Sequence, residues 1–217
     1  MENSTNSAPA FEFSGGALCL DFANTIGDRP RCEKETLGGI AELLRWAAEA
    51  GIVEQDRHER LAREAASAPR RAGAFFRRAI ELRERLYRIF ATLAAGERLD
   101  ARDLAELNRA LAGCLQHLQV EAARDGFAWS WAAPADGFDC LLWPVVRSAG
   151  ELLTSAEAKL VRECASGDCS WLFIDRSRTH RRKWCDMKVC GNRAKARRHY
   201  RKRKQGTVLR RRIQRSR

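Results

Sequence analysis

Four cysteines in two equally spaced pairs constrain the C-terminal part of this chain more than any other feature. Cys164 and Cys169 enclose four residues, Cys185 and Cys190 enclose four more, and fifteen residues separate the pairs. Each spacing lets two sulfurs converge on one ion, and the segment between the pairs is long enough to return as a hairpin. The pattern predicts one structural Zn²⁺ in a closed shell of four thiolates, with no position left for water or substrate.

Other arrangements of four thiols remain open at this point. They can hold an iron–sulfur cluster, form two disulfides, or lie apart as buried thiols. His180 and His199 are alternative ligands, although four cysteines already complete a tetrahedral shell. The regular spacing favours zinc. Gly167 and Asp168 suit a tight turn within the first pair, and Gly191 suits a turn from Cys190 into the basic segment that follows.

Charge is distributed unevenly along the chain, whose net charge is +12. Residues 176–217 hold 19 Lys or Arg against one acid, Asp186, whereas residues 1–175 hold 21 basic and 27 acidic residues. Neutralising phosphates releases counterions, so a dense cationic segment favours a nucleic-acid partner. A solvated surface is the alternative, but the density of charge beside a metal motif favours nucleic acid.

The basic residues after Cys190 predict a helix that leaves the metal site, since no helix breaker occurs before Gly206. Its Arg and Lys side chains are expected to contact phosphates, and some could reach base edges in a major groove. The candidate nucleic-acid-binding residues are Asn192, Arg193, Lys195, Arg197, Arg198, Arg201 and Lys202.

The sequence Cys190-Gly191-Asn192-Arg193 resembles the signature of CGNR-type zinc fingers. The resemblance runs from Cys164 to about Arg203 and implies that the four cysteines bind the metal. It also implies a nucleic-acid-binding module of bacterial transcription regulators. Further matching residues are Leu172, Phe173, Ile174, Asp175, Ser177, Arg178, Arg182, Trp184, Met187 and Lys195.

A second resemblance lies near the N-terminus, where Gly15-Gly16 and residues 18–25 are similar to the start of the ABATE domain. The resemblance implies a helical domain that accompanies this finger and senses a small ligand or stress signal. Asp21, Asn24 and Arg29 are candidates for a ligand pocket in this body. The alternative is that they cap a helix and tie down a loop.

Apolar periodicity predicts a mainly α-helical body. The longest stripe, from Phe75 to Leu93, recurs at steps of three and four and indicates a helix of twenty or more residues. Residues 118–131 alternate with a period of two around Asp125-Gly126, which predicts a β-hairpin whose aromatic face packs on helices; binding of a flat ligand or a base is the alternative. Thr154 and Glu157 have capping-box spacing, although an extended run into Cys164 is equally compatible.

These elements predict an α+β class: mainly α with a small β-hairpin. The expected divisions are a leader (1–10), the helical body (11–155), the zinc finger with its basic helix (156–205) and a basic tail (206–217). Because no Gly/Pro-rich linker separates body from finger, the two should pack together. Trp171, Phe173 and Trp184 are expected on strands between the ligand pairs, packed around the metal.

The function predicted is a cytoplasmic zinc-finger transcription regulator that binds DNA, with a body that senses an effector or forms a homodimer. An RNA- or ribosome-associated protein is the first alternative. An enzyme is disfavoured, because the chain lacks a nucleophile elbow, a phosphate-binding glycine loop and HExxH. Residues 1–10 lack the apolar region of a secretory signal, and no run of ~18 apolar residues predicts a membrane span.

Overall fold

A computed structural model describes residues 10–29, 31, 34–132 and 137–200. The leader residues 1–9, the tail 206–217, Arg201 and Lys202 lie outside this range. None of the helices in the described ranges has the length and apolarity needed to span a bilayer. The body helices are α1 (Leu18–Ala23), α2 (Ile40–Glu49), α3 (Gln55–Ser67), α4 (Pro69–Ala94), α5 (Ala101–Leu115) and α6 (Trp143–Thr154), and residues 192–200 form α7.

Short antiparallel strand pairs accompany the helices. Within the described residues they are β1 (Ile26–Gly27) with β2 (Lys34–Glu35), β3 (Leu118–Ala123) with β4 (Gly126–Trp131), and β5 (Val161–Glu163) with β6 (Leu172–Ile174). The predicted class, mainly α with a small β-hairpin, is confirmed.

Helix α4 forms the centre of the body. It begins at Pro69, where the absent N–H costs nothing in a first helical turn, and its predicted stripe is buried, with Leu86 and Phe90 fully inside. Burying such a side chain stabilises the fold by about 1.5–3 kcal/mol. The same core receives Val161, Leu172 and Ile174 from β5 and β6. The finger strands therefore complete the core of the body, as the absence of a linker predicted.

An ion network fixes β2 against α4. Arg83 is 2% exposed, and its guanidinium donates to both carboxylate oxygens of Glu35 at 2.8 and 2.7 Å. It also donates to Glu84 at 2.9 Å. Burial by itself lowers the pKa of Arg83, but the two carboxylates outweigh it and raise the pKa. Arg83 therefore stays charged within the core, held by its partners.

The junction between body and finger differs from the capping-box expectation. Helix α6 ends at Thr154, whose hydroxyl donates back to the carbonyl of Gly150 at 2.9 Å. Ser155 instead caps a short 3-10 helix (Ala156–Leu160), accepting from the N–H of Glu157 at 3.1 Å. The Glu157 carboxylate pairs with Arg176 at 2.8 Å, so Thr154 and Glu157 form no capping box. Of the two alternatives left open, the short helix forms first and the chain becomes extended at β5.

The β3–β4 hairpin forms where it was predicted, but its apolar face is open to solvent. The register places Val120 beside Trp129, and their exposed fractions are 56% and 59%, with Phe127 at 82%. Only the base of this face meets aromatic side chains of the body, with Trp131 centred 5.7 Å from Trp143. Packing of the whole face on helices was a wrong expectation, because alternation shows which face is apolar and not whether another layer covers it.

Candidate metal centre and nucleic-acid interface

The first cysteine pair lies in the turn of the β5–β6 hairpin. Cys164 directly follows β5, and its N–H donates to the carbonyl of Trp171 at 2.9 Å, which continues the ladder by one residue. The N–H of Cys169 donates to the carbonyl of Ser166 at 3.0 Å. The hairpin therefore encloses the first pair, whereas the sequence predicted it between the two pairs.

The chain returns to the second pair through a segment organised by Asp175. Its fully buried carboxylate accepts from the N–H groups of Ser177 and Arg182 at 3.0 and 2.8 Å. The Arg182 guanidinium then lies 4.6 Å from the centre of the Phe173 ring and donates to the carbonyl of Trp184 at 2.8 Å. These contacts deliver Cys185 to the first pair without a strand.

A π-helical turn, Met187–Gly191, carries Cys190 into the site. It is capped by Asp186, whose carboxylate accepts from the N–H of Val189 at 2.8 Å. A Cβ at Gly191 would lie 2.5 Å from the Met187 sulfur, so a side chain there requires Met187 to move. The turn leads directly into α7.

The four cysteine sulfurs converge, all within 4.8 Å of one another. Cys185 lies 3.7 Å from Cys169 and 3.6 Å from Cys190, measured between sulfurs. A tetrahedron of sulfurs around Zn²⁺ has edges of about 3.8 Å, whereas a disulfide needs about 2.05 Å. The donor set and its spacing thus fit one zinc ion. The sulfurs are gathered rather than separate, and their distances are those of metal ligands and not of disulfide-bonded atoms.

The four sulfurs shift one another's pKa values. Hydrogen bonds from the Cys169 and Cys185 thiols lower the pKa of Cys164, whereas burial followed by the Cys164 charge raises the pKa of Cys190. A divalent cation favours the thiolate form of all four cysteines, because it binds each of them through a deprotonated sulfur.

Aromatic side chains enclose the metal site, as predicted. Phe173 is fully buried against the cysteines, and Trp171 and Trp184 pack beside it. Because the flanking residues of β6, Leu172 and Ile174, face the core of the body, this strand has one side on each domain. His180 and His199, the alternative ligands considered from the sequence, do not belong to the cysteine group.

Helix α7 divides the predicted nucleic-acid-binding residues into two sets. Arg193 and Arg197 both contact Asp168, at 2.8 and 3.1 Å. Asn192, Lys195 and Arg198 are exposed. Sequence reasoning treated Asp168 as a turn residue only; the available signal was its negative charge next to a metal ligand in a basic finger.

Two of the three candidate pocket residues, Asp21 and Asn24, bond to backbone groups of other segments. Asp21 accepts from the N–H of Gly15 at 2.8 Å, and Asn24 exchanges two hydrogen bonds with the backbone of Leu172. Burial raises the pKa of Asp21 to about 6. These hydrogen bonds are the kind that the alternative role, tying down loops, requires.

Arg29 borders a cavity. Its guanidinium pairs with Glu84 and lies 3.8 Å from the centre of the Tyr87 ring. With Tyr87, Ser166 and Ser170 it lines a cavity of about 550 Å³ between the body and the first cysteine pair.

Two family models match this chain. ABATE, described as "Putative stress-induced transcription regulator", matches residues 16–156, and the CGNR zinc finger matches residues 161–203. Both agree with the resemblances found in the sequence. No curated protein matches the chain.

Proposed function

Because the chain belongs to the ABATE family and carries a CGNR zinc finger, we propose that it regulates transcription by binding duplex DNA through the finger and α7. The observation that carries this proposal is a four-sulfur site from which a basic helix leaves directly. A closed shell of four thiolates stabilises the finger and offers no open position to a substrate, so we propose a binding protein rather than an enzyme.

The exposed side of α7 has the chemistry that DNA recognition requires. Lys195 and Arg198 supply positive charge for phosphates, and Asn192 can pair with adenine through two hydrogen bonds. The nine described residues of α7 span about 13 Å at 1.5 Å per residue, and a B-DNA major groove about 12 Å wide admits an α-helix. Arg201 and Lys202 belong to the same proposal.

Duplex DNA is favoured over RNA because of groove shape. The major groove of A-form RNA is deep and narrow, so a single helix reaches its base edges poorly. The family description as a transcription regulator also supports DNA.

We propose two roles for the body, in a protein that acts in the cytoplasm. A small-molecule effector would bind the cavity lined by Arg29, Tyr87 and Ser170, where it would touch both body and finger. A second copy of the chain would cover the exposed face of the β3–β4 hairpin, forming a homodimer that presents two fingers. Sedimentation velocity across concentrations tests the second role, with Phe127→Ser as the variant that should remain monomeric.

Selection of duplexes from a random pool tests DNA binding. The zinc-loaded protein should enrich one motif, with affinity that falls steeply as salt rises. The Cys190→Ser variant keeps every Lys and Arg side chain but loses one zinc ligand. It should enrich no DNA motif. Enrichment of structured RNA in a parallel selection, with no DNA motif, would move the function to the RNA alternative.

A further inference from the structure

Asp168 lies in the turn that carries the first cysteine pair. It contacts α7, the basic helix that follows the second pair. The two carboxylate oxygens of Asp168 contact different arginines. One accepts a hydrogen bond from Arg193 at 2.8 Å, and the other lies 3.1 Å from Arg197. Ser166 joins them, since its hydroxyl donates to Asp168 at 2.7 Å and accepts from Arg197 at 2.7 Å. The hydrogen bond from Ser166, followed by the Arg193 guanidinium, holds the pKa of Asp168 below its ordinary value, although partial burial opposes this.

These contacts join α7 to the turn of the first cysteine pair, beside the metal site. Asp168 precedes Cys169, and Arg193 follows Cys190 by three residues, so metal and ion pairs attach α7 to the first turn at two places. Attachment through Cys190 alone would leave the helix free to pivot about its first residue. Because Arg193 and Arg197 are four residues apart, they lie on one face, and their pairing also fixes the rotation of α7 about its axis.

The fixed rotation determines which side chains point outward. Asn192, Lys195, Arg198 and His199 lie on the side away from the paired arginines and are all exposed.

We propose that Asp168 is a positioning residue for sequence recognition: with Ser166 it engages Arg193 and Arg197, and so presents the Asn192–Lys195–His199 face of α7 to nucleic acid. This inference rests on the proposed function. Electrostatics alone makes the opposite prediction, because an acid beside phosphates weakens binding. The two explanations therefore predict opposite changes in affinity for a recognised DNA sequence when the charge of Asp168 is removed.

Three variants distinguish positioning by Asp168 from the effect of its charge alone. Asp168→Asn removes the charge; Ser166→Ala weakens the same contacts without a charge change; Glu163→Gln removes an equal charge next to Cys164, where Glu163 accepts from Tyr87 and does not face α7. Each is compared with wild type for zinc content, amide exchange over residues 192–200, and the ratio of affinities for the selected duplex and a random duplex.

Positioning predicts that Asp168→Asn keeps its zinc, exchanges α7 amides faster and loses about tenfold or more of the affinity ratio, while random duplex binds as tightly or more tightly. Ser166→Ala should change in the same direction, and Glu163→Gln should keep both exchange and ratio. An unchanged ratio with tighter binding to both duplexes overturns the proposal, as does unchanged amide exchange.

Two outcomes need separate treatment. If Asp168→Asn fails to retain zinc, Ser166→Ala decides, because it leaves the charge and every metal ligand in place. If wild type selects no duplex, the proposed function fails, and amide exchange still reports whether Asp168 and Ser166 hold α7.

Discussion

Asn24 of the body and Leu172 of the finger are joined by two hydrogen bonds across 148 residues of sequence. The Asn24 amide donates to the Leu172 carbonyl and accepts from the Leu172 N–H, both at 2.8 Å and both buried. The side chain thereby acts as a strand partner for β6. It connects the start of the body to the strand that carries Phe173 against the metal site.

Replacing Asn24 with Ala should destabilise the protein by about 2–4 kcal/mol, because two buried backbone groups lose their partners. The measurement is chemical denaturation at constant zinc concentration. Asn108→Ala, an exposed asparagine in α5, is the matched control and should stay within about 0.5 kcal/mol of wild type. Equal stability of the two variants would show that Asn24 does not hold β6.

Loss of a metal ligand should unfold the finger while the body helices persist. Wild type should contain one zinc per chain by elemental analysis, and Cys164→Ser and Cys190→Ser should contain almost none, since zinc contributes on the order of 10 kcal/mol to such sites. Far-UV circular dichroism should retain most helical signal, at a lower melting temperature, because Leu172 and Ile174 leave the shared core. Cys140→Ser, outside the sulfur cluster, should keep its zinc.

Asp21 should make stability depend on pH. Its pKa is raised by burial from 3.8 to about 6, so the folded state favours the protonated carboxyl. This contribution is fully present below about pH 3.8 and is lost as pH rises through 6. Asp21→Asn should therefore match wild type near pH 4 and exceed its unfolding free energy by about 1–3 kcal/mol at pH 7.5.

Comparing the two proteins at each pH cancels the loss of zinc in acid, which both share. Asp125→Asn, an exposed acid in the hairpin turn, should show no such divergence. A difference between wild type and Asp21→Asn that is constant from pH 4 to 7.5 would contradict the assignment.

Breaking the Arg83 network should be costly. Arg83→Met leaves Glu35 without its two-pronged partner and should lower the unfolding free energy by about 2–4 kcal/mol, less than for a fully buried pair because Glu35 is partly exposed. Adding Glu35→Gln should recover part of the loss in a double-mutant cycle. Arg77→Met, at an exposed position of the same helix, reports the effect of the substitution alone, which should be small.

The sequence by itself determined the ligand set, the long helix α4 and the location of the β3–β4 hairpin. Each depends on spacing within a short stretch: four residues between paired cysteines, an apolar step of three and four, or a period of two around a glycine turn. Such patterns reflect local backbone geometry, so they can be recognised without knowing what packs against them.

Tertiary structure alone decided the partners of individual polar side chains. Asn24 bonds to the backbone of Leu172, Arg193 and Arg197 pair with Asp168, and Phe127 remains uncovered. Equivalent cations along α7 are indistinguishable in sequence; only the direction in which the metal site holds the helix separates paired from exposed ones. That direction arises from contacts between distant segments, which local periodicity does not encode.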